Sequence, residues 1–199
     1  MAKIMVPKAA PRLSSTELRN RIAQFNINRN KYPLLIIGIR GYYLNTMGEP
    51  GKNDRGIYDD AIFVETPAVT ASYNGNTDPS VVRKGSGKGA GKGMAVLKPG
   101  IYYAYKLDTH RSKNPHPAVC QRYGEVTVVR DGNPPYEDTG MFGINIHRGG
   151  NTTTSSEGCQ TIHPSQWDSF YNLVKDQAKR YYGDNWNKTI IPYVLMEEK

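Results

Sequence analysis

"HRGGNTTTSSEGCQ", residues 147–160, is the stretch on which the reading of this chain turns. It holds one of four histidines and one of two cysteines, twelve residues apart, joined by glycines and hydroxyl residues. Three readings are open: a surface loop, half of a metal site, or a cysteine nucleophile with its base. A thiol attacks well only as thiolate, and an ordinary pKa near ~8.5 leaves little of it at neutral pH. A neighbouring imidazole takes the proton and holds the charged pair. His147 falls at the end of the strand-like "FGINIH", a rigid mount for a base. Gly158 permits a tight approach that aims the Cys159 N–H at a developing oxyanion. Ser155 and Ser156 are placed to tighten the loop through side chain to backbone bonds.

A free cysteine is most often a small buried apolar residue. That reading is kept for Cys120 in "HPAVCQRY". Gly, Asn, Thr and Ser around Cys159 make a poor setting for an inert core thiol. The rival metal set is His147, Cys159 and His163, with His110 or His116 as a fourth ligand. Its spacings are not those of a zinc finger, and neither CxxC nor HExxH occurs. No metal and no cofactor are expected.

Working outward, Pro164 opens a helix in which Trp167, Phe170, Tyr171, Val174 and Ala178 recur at helical spacing, with Gly183 as its stop. "KTIIPYVLM" (188–196) reads as a closing strand. Upstream, "LKPGIYYAYKL" (97–107) is an aromatic strand. "GEVTVVRDG" (124–132) and "GMFGINIH" (140–147) read as neighbouring strands joined by a Pro- and Gly-rich loop.

In the first half, Ser14 to Glu17 forms a capping box before a short helix with Leu18, Ile22 and Phe25 on one face. "YPLLIIGIRGYYL" (32–44) and "GIYDDAIFVET" (56–66) read as buried strands. "SYNGNTDPS" (72–80) reads as turn formers, and Asp54, Asp59, Asp60 and Asp78 as turn and surface residues. The tract "GSGKGAGKG" (85–93) fails the P-loop pattern, since Lys92 precedes Gly93 rather than Ser or Thr. It reads as a mobile cationic loop whose lysines 84, 88 and 92 wall a groove. The expected class is mainly β, a β-rich α+β fold. Residues 1–31 are a basic arm, loose over 1–13, plus the short helix, and 32–199 form one domain.

The 199 residues suit a single domain that needs no disulfide or metal to fold. Net charge is +8, and Met1 to Lys31 carry seven Lys or Arg against a single Glu. Such a surface favours polyanions: nucleic acid, anionic lipid or cell wall. The fourteen tyrosines fall mostly in strand-like runs, which suits packing rather than base stacking, so no nucleic acid is expected. The start lacks an apolar h-region, and no apolar run approaches the ~18 residues of a membrane span. The expectation is synthesis in the cytoplasm and action in the periplasm or cell wall after release or delivery.

"INIHRGG" followed by "SSEGCQTI" resembles the signature of the L,D-transpeptidase (YkuD-like) catalytic domain. His147 matches that family's catalytic histidine, and Ser156, Gly158 and Cys159 match its Ser-x-Gly-Cys. "LKPGIYY" is similar to its Thr-Pro-x-Gly segment, so the likeness covers roughly 97–196. Glu157 stands where the family usually has His, Thr161 where it has Arg, and Arg148 where it has Gly. The His-to-Cys interval is also shorter. The resemblance implies a β-sandwich with peripheral helices, in a divergent branch of phage-encoded or injected-toxin type. It implies a peptidoglycan stem peptide as substrate and a thioester on Cys159. The Arg148 main-chain carbonyl would orient His147, with Gly158 and Ser156 supporting the oxyanion site. Gln160, Glu157, Asn145 and Gly149 are the substrate-binding candidates, and Gln160 or Arg148 stands in for the missing arginine. Transpeptidation, carboxypeptidase and endopeptidase outcomes stay open, since the acceptor decides among them. The alternative is a non-catalytic cell-wall-binding or structural virion module with a degenerate site.

Overall fold

A computed structural model describes residues 4–85, 91–110 and 113–198. Lys88 and the rest of 86–90, the middle of the glycine-lysine tract, lie outside the described residues. Helix α1 (Ser15–Ile22) precedes β1 (Leu35–Arg40), β2 (Asp60–Glu65), β3 (Thr70–Asn76), β4 (Ala95–Leu97), β5 (Gly100–His110) and β6 (His116–Gln121). Then come β7 (Val126–Arg130), β8 (Tyr136–Gly140), β9 (Ile146–Arg148), β10 (Gln160–Ile162), α2 (Pro164–Tyr182) and β11 (Ile191–Glu197). The fold is mainly β, as expected. The large sheet closes on itself in the order β1-β11-β5-β6-β9-β10-β3-β2, and β4-β7-β8 make a separate small sheet. The expected sandwich thus takes the form of a barrel with a small sheet beside it. No helix among the described residues is long and apolar enough to cross a membrane.

Alternation along the strands explains the unbroken apolar runs. On β1, Ile36 faces a core shared with Ile62, Tyr193 and the α2 residues Trp167, Phe170, Val174 and Ala178. Its neighbours Leu35, Ile37 and Ile39 face a second core with Phe63, Val194 and the α1 residues Leu18 and Ile22. A strand covered on both faces needs apolar residues at every position. The first core also holds Ala95, Leu97, Val126 and Val128, so the small sheet packs on the barrel. The Ser14 capping box is present: Ser14 Oγ accepts from Glu17 N at 3.1 Å, and Ser14 N donates to Glu17 Oε2 at 2.9 Å.

Three expectations fail for identifiable reasons. "SYNGNTDPS" contributes most of strand β3, because pairing with β2 from Asp60↔Gly75 to Glu65↔Thr70 outweighs local turn preference. The β7 strand pairs with β8, which arises from the supposed joining loop, while β9 lies in the barrel between β6 and β10. The supposedly loose arm lies against the barrel: Ala9 O accepts from Tyr43 Oη at 2.9 Å and Pro11 O from Ser72 Oγ at 2.6 Å. Backbone carbonyls on the arm meet hydroxyls on the barrel, a pattern that composition does not reveal.

The aspartates were also misplaced, since Asp59, Asp60 and Asp78 are all buried. Asp60 accepts from Gly41 N at 2.5 Å, Thr77 N at 2.6 Å and Thr77 Oγ1 at 2.8 Å. Arg40 pairs with Asp78 at 3.1 Å and donates to Leu97 O at 3.0 Å, tying the barrel to the small sheet. Asp59 is less well served: Oδ2 accepts from Asp54 N at 3.0 Å, and Oδ1 has no partner among the described residues. Burial pushes Asp59 up to about 7, helped by the Asp78 and Asp54 charges and opposed by the Asp54 N–H. Burial and the Asp59 and Asp78 charges push Asp60 upward too. Its three donors and the nearby Arg40 favour its ionised form, so Asp59 is the one that keeps the proton.

A folded pKa above the usual 3.8 means that the unfolded chain releases this proton first as pH rises. The stability present below that value is lost through about pH 7, a cost of up to ~4 kcal/mol. Asp59→Asn, which mimics the protonated acid, is expected to raise Tm at about pH 8 and to flatten its fall between about pH 5 and pH 8. An unchanged slope in thermal unfolding scans would contradict this assignment.

Candidate active site

The chain turns back after β9 and returns as β10, pairing parallel to it with Gln160↔Ile146 and Thr161↔His147 in register. Gln160 N donates to Asn145 O at 2.8 Å and extends the ladder by one step. Side chains alternate across a strand. Cys159, Asn145 and His147 therefore share one face, while Ile146 and Ile162 join the core on the other. Cys159 and His147 open on one cleft of about 690 Å³, walled by Arg83, Lys92, Arg130, Phe142, Arg148 and Glu157.

His147 is buried, and its Nδ1 lies 2.7 Å from the carbonyl oxygen of Arg148. A carbonyl only accepts, so Nδ1 carries the proton and Nε2 keeps its lone pair. Burial lowers the imidazole to about 4, against the pull of the Arg148 carbonyl and helped by His110 and His116. Cys159 Sγ lies 3.4 Å from Asn145 N, which donates to it, and 3.4 Å from Gly143 O. Burial pushes this thiol up to about 11; the Asn145 N–H opposes the rise and Glu157 adds to it. At neutral pH both partners are uncharged. The arrangement is a thiol hydrogen-bonded to the Gly143 carbonyl and a neutral imidazole on the same strand face, both lining one cleft.

The loop around the cysteine is held from within. Ser156 Oγ donates to Cys159 O at 2.7 Å and accepts from Gly158 N at 3.0 Å, and Ser156 N donates to Ser80 Oγ at 2.8 Å. The N–H groups of Ser156 and Gly158 are thus engaged, and these residues support the site without donating to an oxyanion. The Cys159 N–H has no partner among the described residues. Gly158 allows close approach to β4, since a Cβ there would lie 2.7 Å from Ala95 O and 2.8 Å from Ile144 Cδ1.

Of the substrate-binding candidates, Glu157 lines the cleft, paired with Arg83 at 3.0 Å. The other three do not. Gln160 is fully buried, with Nε2 on Gly158 O at 3.2 Å and Oε1 accepting from Tyr193 Oη at 3.0 Å, because strand alternation turns it inward. Asn145 is buried and positions its neighbours: Oδ1 accepts from Gln121 N at 2.9 Å, and Nδ2 lies 3.3 Å from His110 Nδ1. Gly149 packs under Tyr58, whose hydroxyl would sit 2.1 Å from an added Cβ. Arg148 lines the cleft and makes no ion pair among the described residues. Cys120 is a fully buried core thiol, pushed up to about 11 chiefly by burial.

Sequence reasoning placed Lys92 on a groove wall, where it lies, but missed Arg130 beside it. Lys92 and Arg130 both bind Asp138, at 2.7 and 3.1 Å, and both lie over the Phe142 ring. Its metal set gave His163 a place beside His147 and admitted only one of His110 and His116. His110 and His116 converge on His147, with ring centroids 4.9 and 5.7 Å from it, whereas His163 packs on Tyr58. The 110/116 spacing could have signalled a hairpin, because the two pair directly across β5 and β6. Compared with family models, with curated proteins and with solved structures, the chain has no match.

With the thiol at about 11, alkylation of Cys159 by iodoacetamide is expected to be slow at neutral pH. It should quicken about tenfold per pH unit through mildly alkaline pH. Intact mass measured against time gives the rate. A plateau already reached below neutrality would reveal a preformed thiolate instead.

Proposed function

We propose that the chain is a cysteine acyltransferase or peptidase of L,D-transpeptidase type, acting on peptidoglycan stem peptides through a thioester on Cys159. The observation that carries this reading is the 2.7 Å contact of His147 Nδ1 with the Arg148 carbonyl, beside Cys159 in one cleft. It keeps the proton on Nδ1 and leaves the Nε2 lone pair free for the base role that the resemblance in "INIHRGG…SSEGCQTI" implies.

In this reading His147 Nε2 takes the thiol proton as Sγ attacks the carbonyl carbon. The oxyanion is received by the Cys159 N–H, a preorganised donor. Collapse breaks the C–N bond, His147 returns the proton to the leaving amine, and the acyl group remains on sulfur. An acceptor amine then gives exchange or transpeptidation, and water gives cleavage. The Arg148 guanidinium, with no carboxylate partner among the described residues, is the group suited to the anionic end of the stem peptide.

Incubation with purified sacculi followed by chromatography of the muropeptides tests this. Shortened or exchanged stem peptides are expected with the native protein and none with Cys159→Ala or His147→Ala. Unaltered product formation by either variant overturns the reading. Sacculus binding without turnover by the native protein would favour the binding module. Arg148→Ala should raise KM about tenfold or more with kcat nearly kept, the loss of one charge-assisted hydrogen bond. An unchanged KM would remove Arg148 from substrate recognition.

A further inference from the structure

We propose that His110, His116 and His147 form a binding site for a divalent transition-metal ion of the zinc class, at the side of the Cys159 cleft. Their ligand atoms all lie within 4.8 Å of one another. The rings come from three neighbouring barrel strands, β5, β6 and β9, so the backbone ladder holds them in place. A zinc–imidazole bond is ~2.0–2.1 Å. Nitrogens around a single ion therefore sit closer than 4.8 Å, and modest ring rotations complete the approach.

The outer contacts of the rings favour this use. His116 Nδ1 lies 2.8 Å from the Asn114 carbonyl, as His147 Nδ1 lies 2.7 Å from that of Arg148. A carbonyl oxygen fixes the proton on Nδ1 in both rings and leaves both Nε2 lone pairs free. This is the support that metal-binding histidines ordinarily have. His116 Nε2 is moreover buried with no hydrogen-bond partner among the described residues, a cost that an ion would remove. His110 is the ligand that must adapt. Its Nδ1 accepts from Asn145 Nδ2 at 3.3 Å, so binding requires a change of tautomer or of ring orientation.

Three neutral imidazoles beside an open cleft suit a borderline ion such as Zn²⁺ or Co²⁺ rather than Ca²⁺ or Mg²⁺, which want oxygen. Arg83, Lys92, Arg130 and Arg148 on the same walls oppose a cation but welcome an anionic fourth ligand. Since His147 Nε2 is one of the two free nitrogens, ion binding and general-base work at His147 exclude each other.

The test is calorimetric titration of untagged, chelator-treated protein with Zn²⁺, with Co²⁺ absorption as a second readout. No peptidoglycan is involved, so this inference and the proposed activity can fail separately. One ion per chain with a Kd of about 1 µM or tighter is expected, together with visible bands of cobalt in a tetrahedral field. His116→Ala should weaken binding by at least the ~10–100-fold that loss of an outer contact costs. Cys159→Ala and His163→Ala should bind as the native chain does. Absence of binding by the native protein overturns the proposal. So does binding that survives His116→Ala but is lost in Cys159→Ala, which would mark simple thiol capture.

Discussion

Parallel pairing of β9 with β10 is the constraint on which the site rests. The two strands are three residues each, and the twelve-residue step between His147 and Cys159 is closed by their ladder. With Thr161 opposite His147 and Gln160 N on Asn145 O, Cys159 must emerge on the same face as the histidine. A slip of one residue would turn Cys159 into the core and Gln160 into the cleft. The register is locked from the buried side, where Gln160 is held by Tyr193 and by Gly158 O. It is locked again from the loop, where Ser156 clasps Cys159 O and Gly158 N.

Burial then sets the chemistry. The same enclosure that fixes the geometry keeps the thiol and the imidazole neutral. The cleft walls around them are charged. Lys92 and Arg130 stand on Phe142 and share Asp138, and Arg148 lines the cleft with no carboxylate partner among the described residues. An anionic substrate entering such a cleft contributes the counter-charge that the walls lack.

Much of this was legible from residue order. The Ser14 capping box, the Trp167-to-Ala178 stripe and the apolar runs of β1 and β2 each carry a local signal strong enough to survive packing. So do His147 and Cys159, whose setting of small and hydroxyl residues has no use in a core. What escaped was non-local. β3 exists because β2 supplies a ladder, despite Asn74, Gly75 and Asn76. Gln160 and Asn145 are polar residues that look suited to substrate and instead satisfy buried partners. His110 and His116 meet His147 only because the barrel sets β5, β6 and β9 side by side. The buried aspartates illustrate the same limit: Asp60 is matched by Gly41, Thr77 and Arg40, residues 17 to 20 positions away in the chain.

The central claim is that Cys159 becomes acylated with His147 as its base. Its most direct measurement is the intact mass of the protein quenched in acid after mixing with purified muropeptides, with the modified residue located by peptide mapping. The account predicts a mass increase equal to the acyl part of the stem peptide, carried on Cys159 and absent from His147→Ala. An unmodified Cys159 while muropeptides are nevertheless being converted would contradict it.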